Sequence, residues 1–156
     1  RFTWLASLFL GWALAIAPFG AWIGVRGSLG WEPLLLSFAV AMWAGSSDVL
    51  YHIQDIEYYI AHGLHSVAQR FGVVASFRWA LVLDVIAAVC LVVLGLWMGL
   101  SYPYFIGCVV VTIFLLYKYR MVSPSDTSSL GLAFFRINAY VSTTVFLGTL
   151  AAILVN

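Results

Sequence analysis

Four residues within one short stretch have types and spacing that could do chemistry: Asp48, Tyr51, Asp55 and Tyr59. Separations of three, four and four positions, at about 100° per residue, place them on one stripe of a helix. His52 and His62 fall close to the same stripe, whereas Glu57 points about 180° away from it. Two carboxylates in register repel each other, and negative charge near a helix C-terminus opposes the macrodipole, so solvation alone gives no reason for the arrangement. A divalent cation does. Mg2+ takes one or two protein carboxylates and fills its remaining positions with water and substrate phosphates, so the stripe predicts a metal site at Asp48 and Asp55 that receives a phosphorylated ligand.

The surrounding segment, residues 48–72 (DVLYHIQDIEYYIAHGLHSVAQRFG), holds three of the six acidic residues and all three histidines. His65 and Arg70 are candidates for contact with a phosphate group or an acceptor carboxylate, against anchoring at a membrane interface. Three histidines could also suggest haem, but haem needs facing axial ligands and no other predicted helix carries a histidine.

The elements that must position these residues follow from composition. A chain of 156 residues that is 64% hydrophobic and 8% charged, with a mean hydropathy of +1.05, is not a soluble domain. Its 17% aromatic content excludes disorder. Seven basic against six acidic residues give a net charge of +1, which leaves no surface to neutralise a run of nucleic-acid phosphates. Cys90 and Cys108 lie in apolar runs without CxxC spacing or a nearby histidine and read as packing residues. The first apolar run lacks a charged n-region and a cleavage site, and the chain, starting at Arg1, is expected to be the back part of a longer protein.

Because roughly 20 mostly apolar residues cross a bilayer, five spans are predicted: Phe2 to Val25, Pro33 to Tyr51, Trp79 to Gly99, Tyr104 to Tyr117 with its flanks, and Ile137 to Val155. Tyr102, Tyr104, Tyr117 and Tyr119 bracket the short fourth run as interfacial aromatics. Alternating spans put Arg1, Arg70, Arg78, Lys118, Arg120 and Arg136 on one face and only Arg26 on the other. The positive-inside rule then makes the first face cytoplasmic and leaves Asn156 outside. Residues 121–130 read as a turn-rich connector with Asp126 capping a turn. Asp84 is expected to complement the N-terminus of the third helix or to pair with Arg78, while Gly11, Gly20 and Gly24 permit close helix contact. Asp48 follows an apolar run without a break, at a depth where ionisable groups are costly and mark function. The expected ligand is therefore a lipid diphosphate.

The segment Asp48-x-x-Tyr51-x-x-x-Asp55, with Gly63-Leu64-His65-Ser66 and Arg70-Phe71-Gly72 after it, resembles the second aspartate-rich motif of the UbiA superfamily of intramembrane aromatic prenyltransferases, normally DxxYxxxDxxxD. Arg1-Phe2-Thr3, Ala17-Pro18 and Phe134-Phe135-Arg136-Ile137-Asn138 resemble the same family's C-terminal half. The GLHS and RFG wording is most similar to the bacterial quinone-biosynthesis branch, which makes ubiquinone or menaquinone precursors by prenylating hydroxybenzoate or dihydroxynaphthoate acids. Tyr59 stands where the third motif aspartate would be, and His52 replaces the small residue that commonly follows the motif tyrosine.

The resemblance implies an all-α bundle of nine transmembrane helices, of which residues 1–156 would supply five as the C-terminal half. It implies Mg2+ held by Asp48 and Asp55, with Tyr51 at the motif tyrosine, and a polyprenyl diphosphate and an aromatic acid as substrates. Once the diphosphate charge is neutralised, the allylic C–O bond ionises and the electron-rich ring attacks the cation, in a cavity shielded from water. Tyr59, His65 and Arg70 are further candidates for binding diphosphate or acceptor. No NDxxDxxxD stretch, the family's first motif, occurs in these 156 residues, so this chain alone is not expected to complete the site. The location implied is a bacterial inner membrane with the site loops cytoplasmic. Two other readings are an inactive prenyltransferase homologue and a transporter fragment in which Asp48 and Asp55 relay protons or bind a cation.

Overall fold

The computed structural model describes residues 3–121 and 130–155, with side chains at all of these except 121 and 130–134. Arg1, Phe2, Asp126 and Asn156, and with them the expected turn cap at Asp126, lie outside the described residues. Seven helices follow in order: α1 (Ala6–Arg26), α2 (Trp31–Gln54), α3 (Ile56–Ala61), α4 (Val67–Phe71), α5 (Val73–Trp97), α6 (Tyr102–Met121) and α7 (Leu130–Val155). Five of them, all but α3 and α4, are long and apolar enough to cross a membrane, and the described residues contain no strand. The protein is an all-α, polytopic bundle.

α2, α6 and α7 extend beyond their predicted spans, whereas α1 begins at Ala6 rather than at Phe2 and α5 ends at Trp97 rather than at Gly99. The third span starts at Val73 rather than near Trp79, because backbone groups near lipid must be satisfied within the segment and the helix continues until something stops it. That stop is Gly72, whose φ of +83° is readily adopted only without a Cβ. The fourth span is likewise a full helix, with Pro103 in its first turn, where a missing N–H costs nothing.

α1 packs on α2, α2 on α5, and α6 on α7, with α5 joining α6 and α2 reaching α7. Gly11 and Gly45 permit the first contact: a Cβ at Gly11 would run into the carbonyl oxygen of Ala41. Gly20 and Gly24, by contrast, face open space and play no part in close helix contact among the described residues. The tyrosines around α6 also divide. Tyr102 and Tyr117 are exposed, as interfacial residues should be, but Tyr104 is buried and donates to the carbonyl of Leu91 at 2.8 Å. Tyr119 points inward as well. Cys90 and Cys108 are buried free thiols, as packing residues would be.

Between α2 and α5 the chain turns through α3 and α4. Gly63, at φ +62°, reverses it, and Ser66 caps α4 by accepting a hydrogen bond from the Gln69 N–H at 3.1 Å. Val67 and Ala68 bury against Val49, Leu50 and Ile53 of α2 and Ala80 of α5. This small cluster docks the α3–α4 segment onto the end of α2, the end that carries the acidic stripe.

Candidate functional site

α2 ends at Gln54 and α3 begins at Ile56, so Asp55 is a junction residue with φ −98° and ψ 17°. The single uninterrupted helix expected over residues 48–59 is therefore broken, yet its hydrogen-bond ladder carries across the break. The Asp55 N–H donates to the Tyr51 carbonyl at 3.3 Å and the Tyr59 N–H to the Asp55 carbonyl at 3.0 Å. The stripe survives because the four-residue spacing survives. Burial, followed by the charges of Asp48 and Asp55 and the neighbouring Tyr58, pushes the Tyr59 phenol above its ordinary pKa.

Asp48 is largely sheltered, at 19% side-chain exposure, and Asp55 is exposed. His52 links Asp48 to α1: its Nε2 lies 3.6 Å from Asp48 Oδ2 and its Nδ1 lies 3.1 Å from Ser7 Oγ. Ser7 was invisible to spacing arguments because it lies 45 positions away. Tyr51 is half-buried beside the cluster that docks α4. Glu57 is exposed.

The remaining candidates lie on the turn and short helix that follow the stripe. Arg70 lays its guanidinium over the rings of Trp4 and Phe71, at 5.3 and 5.4 Å from their centroids, which fits the anchoring role weighed for it. His65 is exposed in the turn before α4. His62 stacks on Tyr58 at 4.0 Å, with Nδ1 2.9 Å from the Tyr58 carbonyl oxygen.

Deeper in the bundle lies a polar group that the sequence reading misassigned. Asp84 pairs with Lys118 at 2.5 Å, both side chains almost wholly buried, whereas Arg78 is exposed. With α5 starting at Val73, Asp84 sits about three turns along it, too far to complement the helix N-terminus. The Tyr119 hydroxyl donates to Asp84 Oδ2 at 2.6 Å, and Lys118 Nζ donates to Ser46 Oγ at 3.2 Å. Lys118 is accordingly not a loop charge. Ser47 donates to Asn138 Oδ1 at 3.3 Å. The available signal was a pair of serines in an apolar run directly before Asp48.

Among the described residues no group of three or more histidine, cysteine or acidic side chains could hold a metal ion. The donor set on the stripe is two carboxylates and a phenol. That set does not enclose a cation, but it fits Mg2+ carried mainly by phosphate oxygens. Along the inner faces of α2, α5, α6 and α7 runs an apolar cavity of about 290 Å³ whose walls include Val40, Trp43, Leu91, Val111 and Val145.

The sequence model of the UbiA prenyltransferase family matches residues 1–154. The chain belongs to the UbiA prenyltransferase family. Among curated UbiA-family relatives, the 4-hydroxybenzoate octaprenyltransferase of Methylobacillus flagellatus is 29% identical over 160 residues, covering 97% of this chain and 51% of that protein. The 4-hydroxybenzoate octaprenyltransferase of Francisella tularensis subsp. novicida is 25% identical over 119 residues, covering 76% of this chain and 42% of that protein. The chain thus spans about half the length of the curated relatives it matches. No solved structure matches it.

Proposed function

We propose that the protein carrying this chain is a Mg2+-dependent transferase that moves a polyprenyl group from a polyprenyl diphosphate to an aromatic acid of the 4-hydroxybenzoate or dihydroxynaphthoate type, as a step in ubiquinone or menaquinone formation. The observation that carries this reading is the stripe itself: Asp48 and Asp55 flank Tyr51, and the backbone ladder runs from Tyr51 through Asp55 to Tyr59 across the α2–α3 junction, in a chain that matches the UbiA family over residues 1–154. Relatives named as 4-hydroxybenzoate octaprenyltransferases support the acceptor class.

When bound, Mg2+ would neutralise the charge that develops on the diphosphate leaving group. Asp48 and Asp55 would hold that ion jointly with the donor's phosphates. Tyr59, a neutral phenol near pH 7 since its ordinary pKa is 10.0 and is raised here, can donate a hydrogen bond to a phosphate oxygen but adds no charge. The apolar cavity along α2, α5, α6 and α7 suits an aliphatic tail. His65 and Arg70 take the outer positions, on the exposed turn and against Trp4.

We place the protein in a bacterial inner membrane with the α2–α5 and α6–α7 connections cytoplasmic. The exposed Arg70, Arg78, Arg120 and Arg136 lie on that side, against Arg26 alone on the other, which retains the charge bias once Lys118 is removed from it. The stripe's position at the end of α2 counts against a transporter, whose ion sites sit near the bilayer midplane in broken helices. The test is transfer of the polyprenyl group from radiolabelled polyprenyl diphosphate to 4-hydroxybenzoate and, in parallel, to dihydroxynaphthoate by membranes containing the natural full-length protein, with and without Mg2+. Formation of a prenylated acid only with Mg2+ supports the proposal; no transfer to either acid class overturns it.

A further inference from the structure

α2 is gripped just before and within its acidic stripe from three directions. Ser46 receives Lys118 Nζ at 3.2 Å and lies 3.3 Å from the Tyr119 hydroxyl, both on α6, while Asp84 of α5 receives the same lysine and the same hydroxyl. The adjacent Ser47 bonds to Asn138 of α7, and His52 bonds to Ser7 of α1. Neighbouring helix positions point about 100° apart, so hydrogen bonds at Ser46 and Ser47 to different helices fix both the rotation of α2 and its height. Asp48 comes next in the chain.

We infer that the buried Asp84–Lys118–Tyr119–Ser46 group is a positioning device that locks the rotation and height of α2, so that Asp48 and Asp55 meet one diphosphate-bound cation. The inference rests on the prenyl-transfer reading for its ligand, though not for its geometry. Packing alone does not call for these residues. A buried ion pair is often replaceable by apolar side chains of similar volume without loss of stability, but α2, α5 and α6 meet here through charge and directional hydrogen bonds. Such bonds tolerate one rotation where apolar contacts tolerate several. Asp84, Lys118, Tyr119 and Ser46 touch no substrate in this scheme and act through the carboxylates on α2.

The test uses the natural full-length protein with Asp84→Leu and Lys118→Met combined, and separately Ser46→Ala, which leaves the ion pair intact and removes only its joint to α2. Thermal midpoint, and the Mg2+ concentration for half-maximal transfer with donor in excess, are read for each. Positioning predicts that a variant with a near wild-type midpoint still needs on the order of tenfold more Mg2+, as for other outer residues that orient metal ligands. A folded variant with the wild-type Mg2+ requirement overturns the inference. If the double variant fails to fold, Ser46→Ala alone decides by the same criterion. Spin labels at Glu57→Cys and Tyr117→Cys, both exposed, with Cys90 and Cys108 buried, give a readout that needs no activity. The label-to-label distance distribution should broaden or shift in Ser46→Ala, and an unchanged distribution overturns the inference. A wild-type protein that transfers no prenyl group overturns the proposed function instead and leaves the distance measurement to judge the device.

Discussion

The rings of His52 and Tyr59 lie 4.8 Å apart at an interplanar angle of 58°, so Tyr59, in place of the third motif aspartate, and His52, in place of the small residue that commonly follows the motif tyrosine, are in contact with each other. They sit seven positions apart, two helical turns, and the ladder through Asp55 keeps them on one face. His52 also approaches Asp48. An aromatic pair thus occupies the space beside Asp48 where the motif would have a small residue and a third carboxylate.

Removing either carboxylate should abolish the transfer reaction. Asp48→Asn and Asp55→Asn each take away one of the two charged oxygen donors on the stripe, while Glu57→Gln alters an exposed side chain on the opposite one. Rates of prenyl transfer in the full-length protein should fall to background for the first two and stay close to wild type for the third. A damaging Glu57→Gln would contradict the single-stripe arrangement.

Tyr59→Asp should lower the Mg2+ concentration needed for half-maximal transfer, because Mg2+ prefers hard anionic oxygens to a neutral phenol. Repulsion from Asp55 one turn away offsets part of the gain when the metal is absent. Titration of metal with donor in excess measures the difference, and an unchanged requirement would place position 59 outside the metal site.

The Tyr59 phenol should ionise above the ordinary value of 10.0, with burial the main cause and Asp48 and Asp55 next. The sign follows from linkage: a folded-state pKa raised above the unfolded one gives stability that is complete below the unfolded pKa and is lost as pH rises through the folded one. The absorbance titration of tyrosinate, taken as wild type minus Tyr59→Phe, should therefore show a midpoint above 10.0. Combining Asp48→Asn with Asp55→Asn should lower that midpoint without returning it fully, since burial remains.

Gly11→Ala should destabilise the α1–α2 contact, since the added methyl meets the Ala41 carbonyl. Overpacking of this kind costs about 1–3 kcal/mol. Gly20→Ala, into open space, is the control and should leave the thermal midpoint in detergent unchanged or slightly raised.

Cysteine labelling from each side of the membrane should place Gln69 and Ser28 on opposite faces, with Gln69 cytoplasmic. Both positions are exposed and separated by the single span α2. Labelling of the two from the same side would remove α2 from the count of spans.

Much of this protein is set by local sequence. Apolar runs of span length determined five membrane helices, because lipid offers the backbone no other partner, and the spacing of Asp48, Tyr51, Asp55 and Tyr59 determined their common stripe, because helical period is a local property. What tertiary structure alone decided is everything that joins residues distant in the chain. Lys118 looked like a loop charge until α6 placed it against Asp84 of α5. Asp84 looked like a helix-terminus residue until α5 was seen to begin at Val73. Tyr104 and Tyr119 looked interfacial until their hydroxyls were found on buried acceptors, and Gly11 could be told from Gly20 only by what each one faces. In each case the residue type allowed two environments of similar local cost, and the choice fell to helix–helix packing, which a one-dimensional pattern does not contain.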